Sequence, residues 1–314
     1  MRKFLKITGI TVGVFLLIII CIASYFSVDG IPTYKPGNIN LKVEVTPERV
    51  AKGKKIASML CIECHQNKEG VLTGKHLNEL PKEFGDINSK NITNDPNVGI
   101  GSWTDGELYY LLRTGIAKDG HYIPIYMVKF PLAADEDIKS VIAFLLSNES
   151  YVKPSSEEPP PSSPSLLVKA LSHIAWKPLP LAGKEIPLPD TNNVVAHGKY
   201  LFTAMYGCFM CHSKDFKTMN VLEPEKSEGF CGGGNHMQDK EGKEVVTSNV
   251  TFDETGIAKY TEEEFVQAVK YGKKRNGAMV RYPMFPHIQL SDSEVKAIFA
   301  YLKTVPKIKN EVKL

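Results

Sequence analysis

Two five-residue stretches constrain this chain more than anything else in it: Cys61-Ile62-Glu63-Cys64-His65 and Cys208-Phe209-Met210-Cys211-His212. Both read C-x-x-C-H, the spacing that attaches a c-type haem. Two intervening residues let both sulfurs bond one edge of a porphyrin, and the adjacent histidine can then place a ring nitrogen on the iron. The motifs therefore predict two covalently bound haem c groups, with Cys61, Cys64, Cys208 and Cys211 as attachment points and His65 and His212 as iron ligands. Competing readings of C-x-x-C need other features. A redox dithiol does not need the histidine, and a structural zinc site needs two more ligands. Neither motif has a second C-x-x-C or an H-x-x-x-H nearby. Of the six cysteines, Cys21 and Cys231 remain, so no disulfide framework is expected. Haem attachment requires reduced thiols on a translocated chain, which places these segments outside the bacterial cytoplasm or in an equivalent compartment.

The N-terminus fits that placement. Arg2, Lys3 and Lys6 precede an uncharged apolar run from Ile7 to Phe26, and about 20 such residues span a bilayer as a helix. The exit, Ile22-Ala23-Ser24-Tyr25-Phe26-Ser27, lacks a small-x-small cleavage site, and Ile20 before Cys21 is too large for a lipoprotein site. Residues 1–27 thus read as an uncleaved, single-pass anchor in the bacterial inner membrane. With the basic end inside, everything after residue 27 faces the periplasm. The formal net charge of +3 implies no strongly anionic partner, and nucleic acid is excluded on that ground.

The remaining length suggests two domains, and an internal repeat supplies them. Residues 28–45 read as a linker. Thr46-Pro47 then opens a helix carrying Val50, Gly53 and Ile56 towards Cys61. Asn193 to Leu201, with Gly198, repeats it before Cys208. Gly53 and Gly198 are poor helix formers, and their expected use is to let another helix backbone approach closely. Downstream, Asn91-Ile92-Thr93 recurs as Asn249-Val250-Thr251. Thr104 with Glu107, Thr261 with Glu264, and Ser291 with Glu294 are capping boxes. Two of those helices are expected to stop at Gly115 and Gly272. Final helices carry Ile138, Val141, Ile142 and Leu145, and Val295, Ile298, Phe299 and Leu302, each a core-facing stripe. Trp103 and Tyr260, Met127 and Met284, and Ile138 and Val295 are all 157 positions apart, whereas the haem motifs are 147 apart, so the second copy holds ten more residues after its motif. The fold class is all-α, with one domain over 46–150 and another over 190–314. Between them, 151–189 begins as a Pro/Ser-rich linker and ends in a segment, 165–190, that lies against a domain.

An iron bound by one histidine needs a second ligand or stays open. Met284, framed as Arg281-Tyr282-Pro283-Met284-Phe285-Pro286, and Met127, at the repeated position after Pro124, are the candidates. His121 competes with Met127, and Met279 competes with Met284. His76, His173, His197, His236 and His287 read as surface or hydrogen-bonding residues. Cys231-Gly232-Gly233-Gly234-Asn235 reads as a tight loop near a haem edge that could receive a propionate, or, more sharply, as a redox-active thiol.

Taken together, these features resemble the membrane-anchored dihaem cytochromes c of bacteria, in particular the cytochrome subunits of periplasmic alcohol and gluconate-type dehydrogenases. The matching pieces are Thr46 to Gly53, both C-x-x-C-H motifs, Asn91-Ile92-Thr93, Gly99 to Asp105, Tyr282 to Pro286, and Leu290 to Leu302. The resemblance implies a class I cytochrome c fold for each copy, with His65 and His212 as proximal ligands and Met127 and Met284 as distal ones. It implies an electron carrier and not an enzyme, receiving electrons from a dehydrogenase or a quinol-oxidising complex. Delivery would be to an oxidase or a soluble cytochrome. The alternative is a dihaem peroxidase with one open or displaceable iron ligand, for which His121 beside Met127 is the supporting feature.

Overall fold

The computed structural model describes residues 2–78, 80–239 and 241–312. The outer ends of the expected anchor and second domain, residues 1 and 314, lie outside them. Helices dominate, and the few strands are short. Helix α1 (Arg2–Asp29) is apolar enough to cross a membrane over Lys6–Asp29 and buries none of that stretch against the rest of the protein. At 1.5 Å per residue it exceeds the roughly 30 Å of a hydrocarbon core.

The first half is built on α2 (Pro47–Leu60), the single turn α3 (Ile62–His65), α4 (Asp105–Thr114) and α5 (Asp135–Leu145), with β1 at Gly85–Asp86. Thr46 caps α2 by accepting the Arg49 N–H, and the Thr104/Glu107 box starts α4, which ends on Gly115 in the left-handed region as expected. Ile56, Ala57, Leu108, Ile138, Val141, Ile142 and Phe144 form its core. A short strand β2 (Ser163–Pro164) pairs antiparallel with β1, Gly85 opposite Pro164. It is followed by α6 (Leu166–Ile174).

The second half repeats the plan with α7 (Val194–Lys199), α8 (Cys208–His212), α9 (Glu262–Tyr271) and α10 (Asp292–Leu302), plus a hairpin of β3 (His236–Gln238) and β4 (Glu244–Val246). Both expected capping boxes are present, and α9 ends on Gly272, again left-handed. Unlike α2, α7 does not run straight to its motif; it widens into a π-helical turn over Tyr200–Met205. Phe202, Phe209, Phe265, Val295, Ile298 and Phe299 centre the second core.

Gly53 and Gly198 fulfil the role read from the sequence. A Cβ on Gly53 would lie 1.9 Å from the Ser140 carbonyl oxygen, and one on Gly198 would lie 1.8 Å from that of Ala297. So α2 crosses α5, and α7 crosses α10, at backbone contact.

Segments expected as linkers, and the 165–190 stretch expected to lie against a domain, are laid along the first half. Tyr34 N–H donates to Gly120 O at 2.8 Å, and Val43 N–H donates to the Asp105 carboxylate at 2.7 Å. Asn91 Nδ2 holds Ser155 O and Glu157 O at 2.8 and 2.7 Å. Leu179 N–H reaches Thr114 O at 3.1 Å, and the Asp135 and Ile186 backbones are tied together. The halves also interlock. Met59 packs into the second core and Met205 into the first. Tyr200 donates its hydroxyl to Asp137 and accepts the Ala134 N–H, while Lys55 pairs with Glu294 at 2.5 Å. A cleft of about 600 Å³ remains between them, lined in part by Lys52, Asp137, His197 and Tyr206.

Candidate haem-attachment sites

Each motif is one helical turn. Cys61 begins the first, with the His65 N–H on Cys61 O at 2.9 Å, so thiols and imidazole project from one turn. The second is α8 itself, entered through Gly207 at φ +60. Burial pushes the thiols up, Cys61 and Cys208 to about 12 and Cys211 to about 11. These thiols are raised and not depressed as in a dithiol oxidoreductase. Among the described residues, no three His, Cys, Asp or Glu side chains converge to hold a metal ion unaided.

The imidazoles are fixed alike. His65 Nδ1 lies 2.7 Å from Lys90 O, and His212 Nδ1 lies 2.9 Å from Ser248 O. A carbonyl can only accept, so Nδ1 carries the proton in each ring and the lone pair is left on Nε2. Burial lowers both pKa values, which keeps the rings neutral, as ligation requires. The histidine backbone is gripped as well: Gly74 N–H donates to His65 O at 2.8 Å, and Gly233 N–H donates to His212 O at 2.9 Å.

That pair of bonds locates the extra residues of the second copy. Gly74 follows its histidine by 9 positions and Gly233 by 21. The insertion loops out over 213–230 and returns through the Gly-rich stretch. Cys231 there is fully buried at φ +64, with its thiol raised by burial. A second repeated device follows. Asn91 Oδ1 accepts Thr93 N–H and hydroxyl at 2.8 and 2.7 Å, and Asn249 Oδ1 does the same for Thr251 at 2.9 and 2.8 Å.

Met127 and Met284 occupy equivalent turns, their N–H groups donating to Pro124 O and Arg281 O at 3.3 and 2.9 Å. Both are half-buried. Their rivals are more exposed. His121 is exposed and paired with Asp119 at 2.9 Å, and Met279 is 56% exposed. Among the other histidines, His76, His173 and His236 make polar contacts as expected. His287 differs. Its Nδ1 is buried without a partner among the described residues, and burial, with His212 nearby, lowers its pKa to about 4. The hydroxyls of Thr73 and of Ser213, beside His212, are likewise buried and unpartnered. Preset Nε2 lone pairs, paired thiols on one turn and unpartnered polar atoms around them fit a haem at each motif.

Sequence reasoning did not find what braces the chain that follows Met127. Arg113 is fully buried; it donates to Phe130 O and Ala133 O at 2.6 Å each and pairs with Asp135, while Tyr109 donates to the same carboxylate at 2.5 Å. The equivalent pair in the second half is Lys270 with Asp292, the acid largely exposed. The 157-residue offset was the signal that could have revealed both.

Residues 195–306 match the model of the cytochrome c family. The chain is 27% identical over 274 residues to the cytochrome c subunit of the quinone alcohol dehydrogenase of Gluconobacter oxydans, covering 82% of this chain and 55% of that one. It is 25% identical over 256 residues to the gluconate 2-dehydrogenase cytochrome c subunit of Pantoea cypripedii, covering 78% and 56%. A diheme cytochrome c-type protein of Cereibacter sphaeroides is 26% identical over 258 residues, covering 79% and 82%. The chain therefore spans about half the length of the dehydrogenase subunits it matches.

Proposed function

We propose, on the premise that this chain is a cytochrome c like the subunits it matches, that it is a dihaem electron carrier. In this reading each half is an all-α cytochrome c domain, and Cys61, Cys64, Cys208 and Cys211 bind the two haems. When bound, haem c supplies a one-electron ferric/ferrous couple. The observation that carries the reading is the matched pair of Nδ1–carbonyl bonds at His65 and His212. Such bonds fix tautomer and ring orientation ahead of ligation. Met127 and Met284 are the second ligands proposed, which would close both irons and limit reorganisation.

The peroxidase alternative needs an acid–base group over an open iron. His121, the residue that would have supplied it, points to solvent with Asp119. The names of the relatives support a dehydrogenase as electron donor; an oxidase or a soluble cytochrome is the acceptor proposed. Helix α6 supports the anchor reading. It packs on the end of α1, where His173 contacts Gly30 O at 3.0 Å, and it exposes Leu166, Leu167 and Ile174 beside that exit. Apolar side chains there suit a bilayer interface, with the haem domains on the periplasmic side.

The test is haem quantification with optical and EPR spectroscopy of the full chain, matured in a bacterial periplasm. Two low-spin haems are expected, with Cys61→Ser/Cys64→Ser and Cys208→Ser/Cys211→Ser each removing one. Met127→Ala and Met284→Ala should each remove one share of the methionine–iron charge-transfer absorption. A single haem, or a high-spin iron in the unaltered chain, would overturn the reading.

A further inference from the structure

The hairpins that lead to Met127 and Met284 are built alike and covered differently. Ala117 and Gly120 close the first turn just as Lys274 and Gly277 close the second, and Ile123 N–H to Gly115 O at 2.8 Å matches Val280 N–H to Gly272 O at 2.7 Å. In the first half, the chain's own extended segments complete the hairpin. Tyr34 N–H donates to Gly120 O, Leu179 N–H donates to Thr114 O, and Tyr122 lies under Tyr34 with its hydroxyl on Lys177 O. In the second half, among the described residues, no backbone N–H reaches Gly277 O or Tyr271 O across the hairpin.

The consequences are large at matched positions. Thr114 and Tyr122 are 2% and 4% exposed; their counterparts Tyr271 and Met279 are 48% and 56% exposed. Pro131 is buried, whereas Ile288, its counterpart, is 62% exposed. Met279, Val280 and Pro286 converge over Gly272, so part of the exposed apolar surface is contiguous. The rim is basic. Arg275 has Glu264 at 3.4 Å, but among the described residues Lys273, Lys274 and Arg281 have no carboxylate in ion-pair range, and Arg281 sits close enough to repel Lys274. The first half carries Ile116, Ala117 and Pro124 at those three places.

We propose that the hairpin over residues 271–288 is where the second half docks its redox partner, a protein that brings an extended apolar segment within an acidic rim. This rests on the carrier reading above. A protein suits the surface better than a lipid does, because in the first half the same edge is completed by backbone N–H donors as well as apolar side chains. Docking there brings the partner beside Met284, while the matching approach to Met127 is sealed. One electron then passes between the second site and the partner's one-electron metal centre, with no bond made or broken. The first half exchanges electrons through the second.

The test uses the full, haem-loaded chain in detergent, reduced and mixed in stopped flow with oxidised plastocyanin, an acidic blue-copper protein. Lys273→Glu/Arg281→Glu should slow oxidation about tenfold at low ionic strength and remove its salt dependence, whereas Lys118→Glu, on the first-half hairpin at the counterpart of Arg275, should change it less than about twofold. Met279→Glu should slow it at high salt as well. Equal effects at Lys118, or rates insensitive to salt in the unaltered chain, would overturn the proposal. So would loss of binding to anionic phosphatidylglycerol vesicles in the Lys273/Arg281 variant with plastocyanin rates unchanged, or loss of a dimer on Met279→Glu, since these make the surface a lipid or self-association face. Haem content and low-spin spectra of the same samples separate the two levels. Intact spectra with insensitive kinetics sink only the docking surface, whereas missing haem sinks the carrier reading and the docking surface with it.

Discussion

Replacing Gly53 with alanine tests whether the helix crossing holds the first half together. The added Cβ would sit 1.9 Å from Ser140 O and 2.8 Å from Phe144 Cβ. The first contact is with backbone, so no rotamer change relieves it. Restoring van der Waals distance requires α2 and α5 to part by about 1.5 Å, and a gap of even 0.5–1 Å forfeits roughly a quarter to a half of each dispersion contact. The side chains that would lose contact, Ile56, Ala57, Val141 and Phe144, are 2% exposed or less. Overpacking of this kind costs about 3 kcal/mol, at the upper end of its usual range. Alanine's better helix propensity offsets about 1 kcal/mol. The net loss of about 2 kcal/mol should lower the melting temperature of a domain this size by roughly 10 °C. The assay is calorimetric unfolding of the haem-loaded chain, beside Gly183→Ala, whose Cβ would meet nothing within 4 Å. Melting of the two variants within about 2 °C of each other would refute the reasoning.

Two further predictions follow from charged pairs that join helices. Arg113→Ala should cost about 3–5 kcal/mol, because it leaves the buried Asp135 carboxylate without its counter-charge, whereas Lys270→Ala at the equivalent pair, with Asp292 largely exposed, should cost less than about 1 kcal/mol. Denaturant unfolding of the two variants measures the difference, and equal losses would refute it. Arg49 bonds Glu136 across the start of α2 and α5 at 2.7 Å, and that bond holds the carboxyl below its ordinary range. A depressed carboxylate contributes stability that is complete above its unfolded pKa and is lost as pH falls through the folded value. A double-mutant cycle should therefore give a coupling of no more than about 1 kcal/mol at pH 7 that fades below the ordinary carboxylate range. Coupling that persists in strong acid would contradict it.

The parts legible in the sequence were those set by local chemistry. Capping boxes at Thr104, Thr261 and Ser291, the stops at Gly115 and Gly272, and the helix-crossing role of Gly53 and Gly198 each follow from backbone demands that few residue types meet. The histidine tautomers were not legible, because Lys90 O and Ser248 O are backbone atoms 25 and 36 residues from their rings and carry no side-chain signature. The segment read as a linker before Thr46 was less legible for a related reason. Residues 31–45 have the composition of a connector, yet they dock through the Tyr34 and Val43 N–H groups to Gly120 and Asp105, which composition does not encode; the 165–190 stretch lies against the first half, as its apolar residues suggest. The buried Arg113 escaped notice because arginine on a helix ordinarily reads as solvated surface.

These unreadable contacts are also what make the halves unequal. On the two-domain reading proposed above, the two methionine turns would start with equivalent approaches. The first half has the Tyr34 and Leu179 segments across its hairpin and a buried Arg113–Asp135 clamp behind it, which together bury Thr114, Tyr122 and Phe130. The second half has neither cover, and its clamp is the looser Lys270–Asp292 pair. A rigid, dry first site should reorganise little and be slow to meet partners, and a second site with an exposed approach should meet them readily. The methionine exchange across the interface, Met59 into one core and Met205 into the other, then acquires a use. On the carrier reading proposed above, it would hold the covered first site in fixed register with the second, so that an electron in the first half would have a constant path to the proposed docking surface.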